Sequence, residues 1–318
     1  MHTAKWSSPS ARLAALAVFA LVVCLPLTAF AAQRPYFHGT GNNWIPRGTG
    51  QSAHPSPSAP NTQDLTMGIT PADLVAALVG TGANAPVVSN VTYTGVPGAA
   101  GLFSTSFPEY GLDNGVVLSS GNIVTLQGPN LSDFTSFDNG LPGDADLNAL
   151  IPGFTTLDAS ILEFDLECQN VLNISFQYAF ASEEYNEYVN SQYNDVFGFF
   201  LNGVNIAKLP PDFTVPASIN NVNCGNPFPG VGSHCILYQN NDLSDGGGGF
   251  FTEMDGFTKV IQATAVLNPG VNHFKIAIAD AGDRVLDSNV LIKGQSLLCE
   301  VPVPSSRATW GGVKAIYR

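Results

Sequence analysis

Residues 172–180 read LNISFQYAF, and residues 196–201 read VFGFFL. In the first stretch Leu172, Ile174, Phe176, Tyr178 and Phe180 recur at every second position, the period of a strand with one face turned to a core. The second is a short apolar run rich in strand-forming aromatics. The same signal spreads outward. ILEFDL (161–166) alternates, as do KVIQATAVL (259–267) and HFKIAIA (273–279), and the last clear run covers 290–298. Upstream, Val116, Val117 and Leu118 sit between glycines, and strand signals begin at Val87. Turn-rich loops separate these strands and crossover helices are missing, which excludes a parallel βαβ design. The pattern predicts an all-β chain: a two-layer antiparallel β-sandwich, jelly-roll-like, with long Asp/Asn/Gly-rich loops.

One short N-terminal helix is expected before the strands. Thr70 suits the N-cap, Pro71 the first helical position and Asp73 the third. Leu74, Val75, Leu78 and Val79 form its apolar stripe, and Gly80 stops it. The long loops fall at 128–148, 182–195, 202–226 and 238–256. Loops of that length in a compact domain are usually functional or disordered. Gly246–Gly249 reads as a flexible loop rather than a phosphate cradle, because no Lys-Ser/Thr and no helix follow it.

The chain begins with the pattern of an export signal. Lys5 and Arg12 precede an apolar stretch from Leu13 to Leu27, and Ala29-Phe30-Ala31 gives a small-x-small cleavage site, so residues 1–31 are expected to be removed. An apolar run this short, containing Pro26, spans a bilayer poorly. Lys5 and Arg12 are two of the 12 basic residues, so the mature chain keeps 10 against 25 acids, a net charge near −15. That balance argues against nucleic acid or an anionic membrane surface as partner and suits divalent cations, or simply solubility outside the cell. Residues 32–63, rich in Pro, Ser and Gly, read as a flexible leader. The folded domain is placed at 64–300, and residues 301–318 form a tail without a membrane-spanning segment.

Four cysteines follow the signal: Cys168, Cys224, Cys235 and Cys299. An even number in an exported chain points to disulfides, here with three possible pairings. Cys224 and Cys235 bracket a Gly/Pro-rich loop, so a local bridge is expected there. That leaves Cys168 with Cys299. Zinc is excluded by the absence of C-x-x-C spacing or a His pair.

Four stretches together resemble one family: GLFSTSFPEYGLDNGVVLSSG (101–121), GPNLSDFTSFDNGLPGDADLNAL (128–150), YAFASEEYNEYVNSQYNDVFGFFLNG (178–203) and IADAGDRVLDSNVLIKG (278–294). They are similar to the choice-of-anchor L domain of bacterial surface proteins, over roughly residues 66–298. The resemblance implies secretion or display at the cell surface; no enzymatic activity or ligand is established for the family.

Three acidic groups are candidates for chemistry. Asp280, Asp283 and Asp287 surround a glycine turn, where three carboxylates repel unless a cation neutralises them; Ca²⁺, which takes six to eight oxygens in flexible geometry, fits such a loop. The alternative is turn capping, with Arg284 pairing locally. Asp144 and Asp146, at i and i+2 in GDADL, form a second candidate. Glu183, Glu184, Asn186 and Glu187, followed by Asn190, Asn194 and Asp195, are the third; if the strand alternation continues Glu183 and Glu184 point to opposite faces, and one reaches the Asp280–Asp287 loop. Tyr185 and Tyr188 are either packing groups or a sugar-stacking platform. The sequence thus predicts a non-enzymatic extracellular binding or adhesion module, stabilised by Ca²⁺, for an unidentified ligand or surface polymer. A calcium-dependent carbohydrate-binding domain and a secreted hydrolase using Glu183/Glu184 are the alternatives.

Overall fold

A computed structural model of the chain describes residues 61–79, 85–104, 110–168 and 173–300. The expected signal peptide, the tail 301–318, the stop at Gly80 and the leader up to residue 60 lie outside these residues. Fifteen strands are present among the described residues: β1 (Asn61–Asp64), β2 (Val87–Thr94), β3 (Ala100–Ser104), β4 (Asn114–Ser119), β5 (Thr156–Glu167), β6 (Asn173–Ser182), β7 (Val196–Leu201), β8 (Val204–Asn205), β9 (Ala217–Ser218), β10 (Tyr238–Asn240), β11 (Gly256–Thr258), β12 (Ile261–Val266), β13 (Val271–Ala281), β14 (Ser288–Lys293) and β15 (Leu298–Glu300). Two α-helices accompany them, α1 (Pro71–Leu78) and α2 (Ala145–Leu150).

The strands form two antiparallel sheets. The first runs β1-β3-β4-β14-β6-β11-β10, with β12 and β15 also paired to β6; the second runs β2-β5-β13-β7-β8, with β9 paired to β7. The all-β sandwich read from the periodicity is therefore the observed architecture. In β6, Ile174, Phe176, Tyr178 and Phe180 face inward, against Phe197, Phe199 and Leu201 of β7 and Phe274, Ile276 and Ile278 of β13. The sheets interlock through aromatic rings: Phe176 and Phe199 lie 4.1 Å apart between centroids, and Tyr178 and Phe197 5.1 Å. Each such fully buried ring contributes roughly 1.5–3 kcal/mol by leaving water.

Both sheets are covered on their outer faces as well, which explains why VFGFFL is apolar throughout. Ala179, Ala181 and Leu291 lie beneath Tyr110, Leu126, Met254 and Phe257. On the second sheet, Val196, Phe200 and Ala277 lie beneath Leu147 and Ile151 of the α2 region.

Three expectations are corrected in detail. Strand β1 starts at Asn61 and pairs with β3, so the folded domain begins inside the stretch assigned to the leader. Helix α1 has the expected capping box between Thr70 and Asp73, but a second helix, α2, follows Asp144. It is too short to leave a periodic signal. The run 290–298 is two strands, because Gly294 turns the chain after β14 and donates to Asn114 O at 2.8 Å.

Both disulfides form as expected. Cys224–Cys235 closes a local loop with Cα atoms 4.6 Å apart, and Cys168–Cys299 joins Cα atoms 5.8 Å apart. The second follows the last residue of β5 and lies in β15, so it fastens the two sheets together at one end of the sandwich. The other end is acidic.

Candidate metal centre

Antiparallel pairing gathers strand ends that are far apart in sequence. Ser288 lies opposite Ser182, Ala279 opposite Val196, and Asp280 opposite Leu157. Strand β6 therefore delivers Glu183 and Glu184, β13 delivers Asp280, the start of β14 delivers Asp287, and the entries to β7 and β5 deliver Asp195 and Asp158. Asp195 stitches the sheets directly: its Oδ1 accepts from Ala281 N at 2.9 Å and its Oδ2 from Ser288 Oγ at 2.7 Å.

These carboxylates are buried and poorly served. Asp280 is 0% exposed, and neither of its oxygens has a hydrogen-bond partner. The Ser120 hydroxyl and the Asp195 carboxyl approach it, short of hydrogen-bond geometry. Asp287 Oδ1 accepts from Phe137 N at 3.1 Å while its Oδ2 has no partner. Glu183 Oε2 accepts from Thr135 N at 3.2 Å, and its Oε1 has none; Glu184 Oε2 has none either. A buried carboxylate oxygen without a donor costs several kcal/mol unless the group takes a proton or a cation supplies the missing charge.

The electrostatics follow from burial first and from neighbouring carboxylates second. Desolvation, with Asp195 and Asp283 nearby, pushes Glu184 up to about 10. Burial raises Asp195 to about 7 against the pull of Ser288 and Ala281. Asp280 and Asp287 are held well above the ordinary carboxylate range, by burial first; then Asp195 repels both, while Phe137 N opposes the rise at Asp287. Arg284 is a cation at this end, and it serves Asp158 and Asp138: its Nε lies 3.4 Å from Asp158 Oδ1 and 3.9 Å from Asp138 Oδ1, and its Nη2 donates to Leu141 O. The local pairing of Arg284 with Asp280 or Asp283 is not what forms.

The sequence-predicted residues divide cleanly. Asp280, Asp287, Glu183 and Glu184 come together, and the alternation places Glu183 towards Asp255, Glu253 and Asp287 but Glu184 towards Asp195 and Asp283. Asp283 lies half-buried beside them and caps its own turn, accepting from Val285 N at 3.0 Å. Asp144 and Asp146 are elsewhere and are corrected from ion ligands to an ion pair. Asp144 caps α2, and Lys275 Nζ stands 2.6 Å from Asp144 and 2.7 Å from Asp146. Tyr185 is a packing group, buried and donating to Val222 O at 2.7 Å. Asp158 was missed, and Asp195 was noted only as trailing the Glu183–Glu187 cluster. The Asp195 signal was present, since an acid immediately before VFGFFL sits where a strand enters from a loop.

The donor set is oxygen throughout, which suits a hard divalent cation and not zinc or copper. The strand-end oxygens are less tightly drawn together than ligands round one ion. Among the described residues, the three carboxylates whose oxygens lie mutually within 4.8 Å are Asp133, Glu187 and Asp242, on the neighbouring loops. No described helix is long and apolar enough to cross a membrane.

The family model described as Choice-of-anchor L domain matches residues 62–298. No curated protein and no solved structure matches the chain.

Proposed function

The chain belongs to the choice-of-anchor L domain family, and from that premise we propose that it is a non-enzymatic extracellular binding module whose sandwich is held closed at its acidic end by a structural Ca²⁺. The family points to a surface-associated domain, and two disulfides fit an oxidising, extracellular location. One observation carries the calcium reading: Asp280 is wholly buried among Asp195 and Asp287 with both oxygens unpartnered. Asp280, Asp287 and Asp195, which repel one another at this end, would close on the ion, with Glu184 beside Asp195; the ion would supply the positive charge that Arg284 gives to Asp158 and Asp138.

The arrangement favours binding over hydrolysis. Glu183 and Glu184 are each at most 1% exposed and face different neighbours, so a substrate bond has no place between an acid and a base. With Tyr185 sealed in the core, the sugar platform keeps only Tyr188, packed edge-on to Tyr193 with centroids 5.5 Å apart.

Thermal melting in EDTA and in millimolar Ca²⁺ tests the reading. An ion bound only by the native state stabilises it by about 2.7 kcal/mol at a hundredfold excess over Kd. The expected result is a rise in Tm of several degrees that Asp287→Asn abolishes. Equal melting in EDTA and Ca²⁺ would overturn it.

A further inference from the structure

Three loops meet beside the strand-end carboxylates. Asp133 lies on the segment after Gly128, Glu187 follows the Glu183-Glu184 pair, and Asp242 follows β10. Oxygens of these three carboxylates stand mutually within 4.8 Å. Two of them are positioned from behind. Asp242 Oδ1 accepts from Ser244 N at 2.7 Å and Asp245 N at 3.3 Å, while its Oδ2 accepts from Asn186 N at 3.3 Å. Glu187 Oε1 accepts from Ser244 Oγ at 3.2 Å. The glycine run once read as flexible is folded against this group: Gly247 N donates to Asp242 O at 2.6 Å, and Gly248 N donates to Asn241 O at 3.0 Å. A Cβ on Gly247 would lie 2.3 Å from the Asn241 carbonyl carbon. Only glycine lets the loop close so tightly.

A fourth carboxylate points to a missing ligand. Asp255 is 0% exposed; its Oδ1 accepts from Asn130 Nδ2 at 2.6 Å, and its Oδ2 has no partner. The charged groups bearing on it are the carboxylates of Asp242, Asp133 and Glu187 and, from the strand-end side, Glu183. A side chain buried this deeply, with one oxygen unserved and only like charges around it, is stable as an anion when a cation lies among them. Glu187 stands at the solvent edge of the group, so water and ions reach it, in contrast to the sealed Asp280 group.

We propose that Asp133, Glu187 and Asp242, backed by Asp255, form a second cation site, which takes Ca²⁺ at the solvent edge and ties together the loops carrying Asp133, Glu187 and Asp242. Carboxylates alone make a hard-cation site, and an edge position with room for water suits Ca²⁺. The site differs from the strand-end one in its residues and its access. It is the exchangeable one, the first to empty when calcium falls.

The test is equilibrium dialysis of the full disulfide-bonded chain against ⁴⁵Ca²⁺, counting ions bound per chain, with Asp242→Asn and Asp287→Asn compared. The expected result is that Asp242→Asn binds one ion fewer than the parent, while Glu187→Gln, at the solvent edge, raises the half-saturating Ca²⁺ concentration roughly tenfold by loss of one ligand charge. An unchanged count in Asp242→Asn together with unchanged affinity in Glu187→Gln would overturn the proposal. If Asp242→Asn fails to fold, the Glu187→Gln affinity decides alone. The Asp287→Asn arm keeps the two sites apart. A loss there with none in the loop variants would sink the loop site only, and a loss in the loop variants with none in Asp287→Asn would sink only the strand-end site.

Discussion

The two ends of the sandwich solve the same problem by different means. At one end Cys168–Cys299 joins the exit of β5 to β15 and so binds one sheet to the other. At the other, Asp195 crosses between sheets to Ser288 and Ala281, amid carboxylates that lack counter-charges. A covalent staple works without anything from solution. A cluster of buried acids holds only if solution supplies a proton or a cation. The difference teaches that one end is constitutive and the other is conditional on its medium, and each end can be broken separately.

The largest effect should come from the constitutive end. The bridge spans 131 residues of sequence, and closing a loop of that length restricts the unfolded chain by about 5 kcal/mol on the chain-entropy account. Cys168→Ser with Cys299→Ser should lower Tm by the same amount in Ca²⁺ and in EDTA, because the disturbed ends are distant and independent. A drop that depends on Ca²⁺ would mean the two ends are one cooperative unit.

Next in size is Gly121→Ala at the conditional end. A Cβ there would lie 1.7 Å from Asp287 Oδ2 and 2.0 Å from its Cγ, so the carboxylate must move. Overpacking of this kind costs about 2–3 kcal/mol. The variant should also lose the Ca²⁺-dependent rise in Tm, whereas a variant that melts lower yet keeps the full rise would show that Asp287 does not hold the ion.

With calcium chelated, pH should separate the ends as well. Burial holds Asp195 at about 7 and Glu184 at about 10 in the folded chain; unfolding returns both to the ordinary carboxylate range. The folded state therefore keeps protons that the unfolded state releases. Stability is greatest below about pH 4 for these groups and falls as pH rises, until about 7 for Asp195 and about 10 for Glu184, by up to about 1.4 kcal/mol per pH unit for each group. Melting in EDTA at pH 5, 7 and 9 should show a steady decline, which Glu184→Gln makes shallower between 7 and 9 while Asp280 and Asp287 keep part of the slope. A flat profile in the parent would mean these carboxylates already have their counter-charges.

How much of this was legible depended on distance in sequence. Strands announced themselves through local period, from LNISFQYAF to HFKIAIA, and the Thr70–Asp73 cap was visible because its partners are three residues apart. Helix α2 was not, since six residues under an Asp cap leave no period to read. The disulfide framework followed from four cysteines and one Gly/Pro loop. Asp280 and Asp287 were legible as an acidic turn, and so were Glu183 and Glu184. Their burial was not, because it depends on β13, β14, β6 and β7 ending at one place. The Asp133–Glu187–Asp242 group lay hidden for the same reason: its members sit on three loops that meet only after folding. The sequence of GDADL was equally suggestive, and only the pairing of β13 with its neighbours, which sets Lys275 beside α2, showed that the protein supplies that cation itself.

That last contrast gives the smallest and most local prediction. Asp146 is 55% exposed and shares Lys275 with the more buried Asp144. Losing one exposed partner from a pair that retains another should cost less than about 0.5 kcal/mol, so Asp146→Asn should melt within a degree or two of the parent. Lys275→Met removes the cation from both carboxylates and from the Phe200 ring, 5.7 Å from Nζ, and should cost more, about 1 kcal/mol. In both variants the response to Ca²⁺ should match the parent's, since an acid pair already neutralised by lysine adds nothing to a calcium-dependent end. If Asp146→Asn instead weakened that response, the GDADL loop would be a cation ligand after all, and an acidic pair with its own lysine could no longer be told from one without.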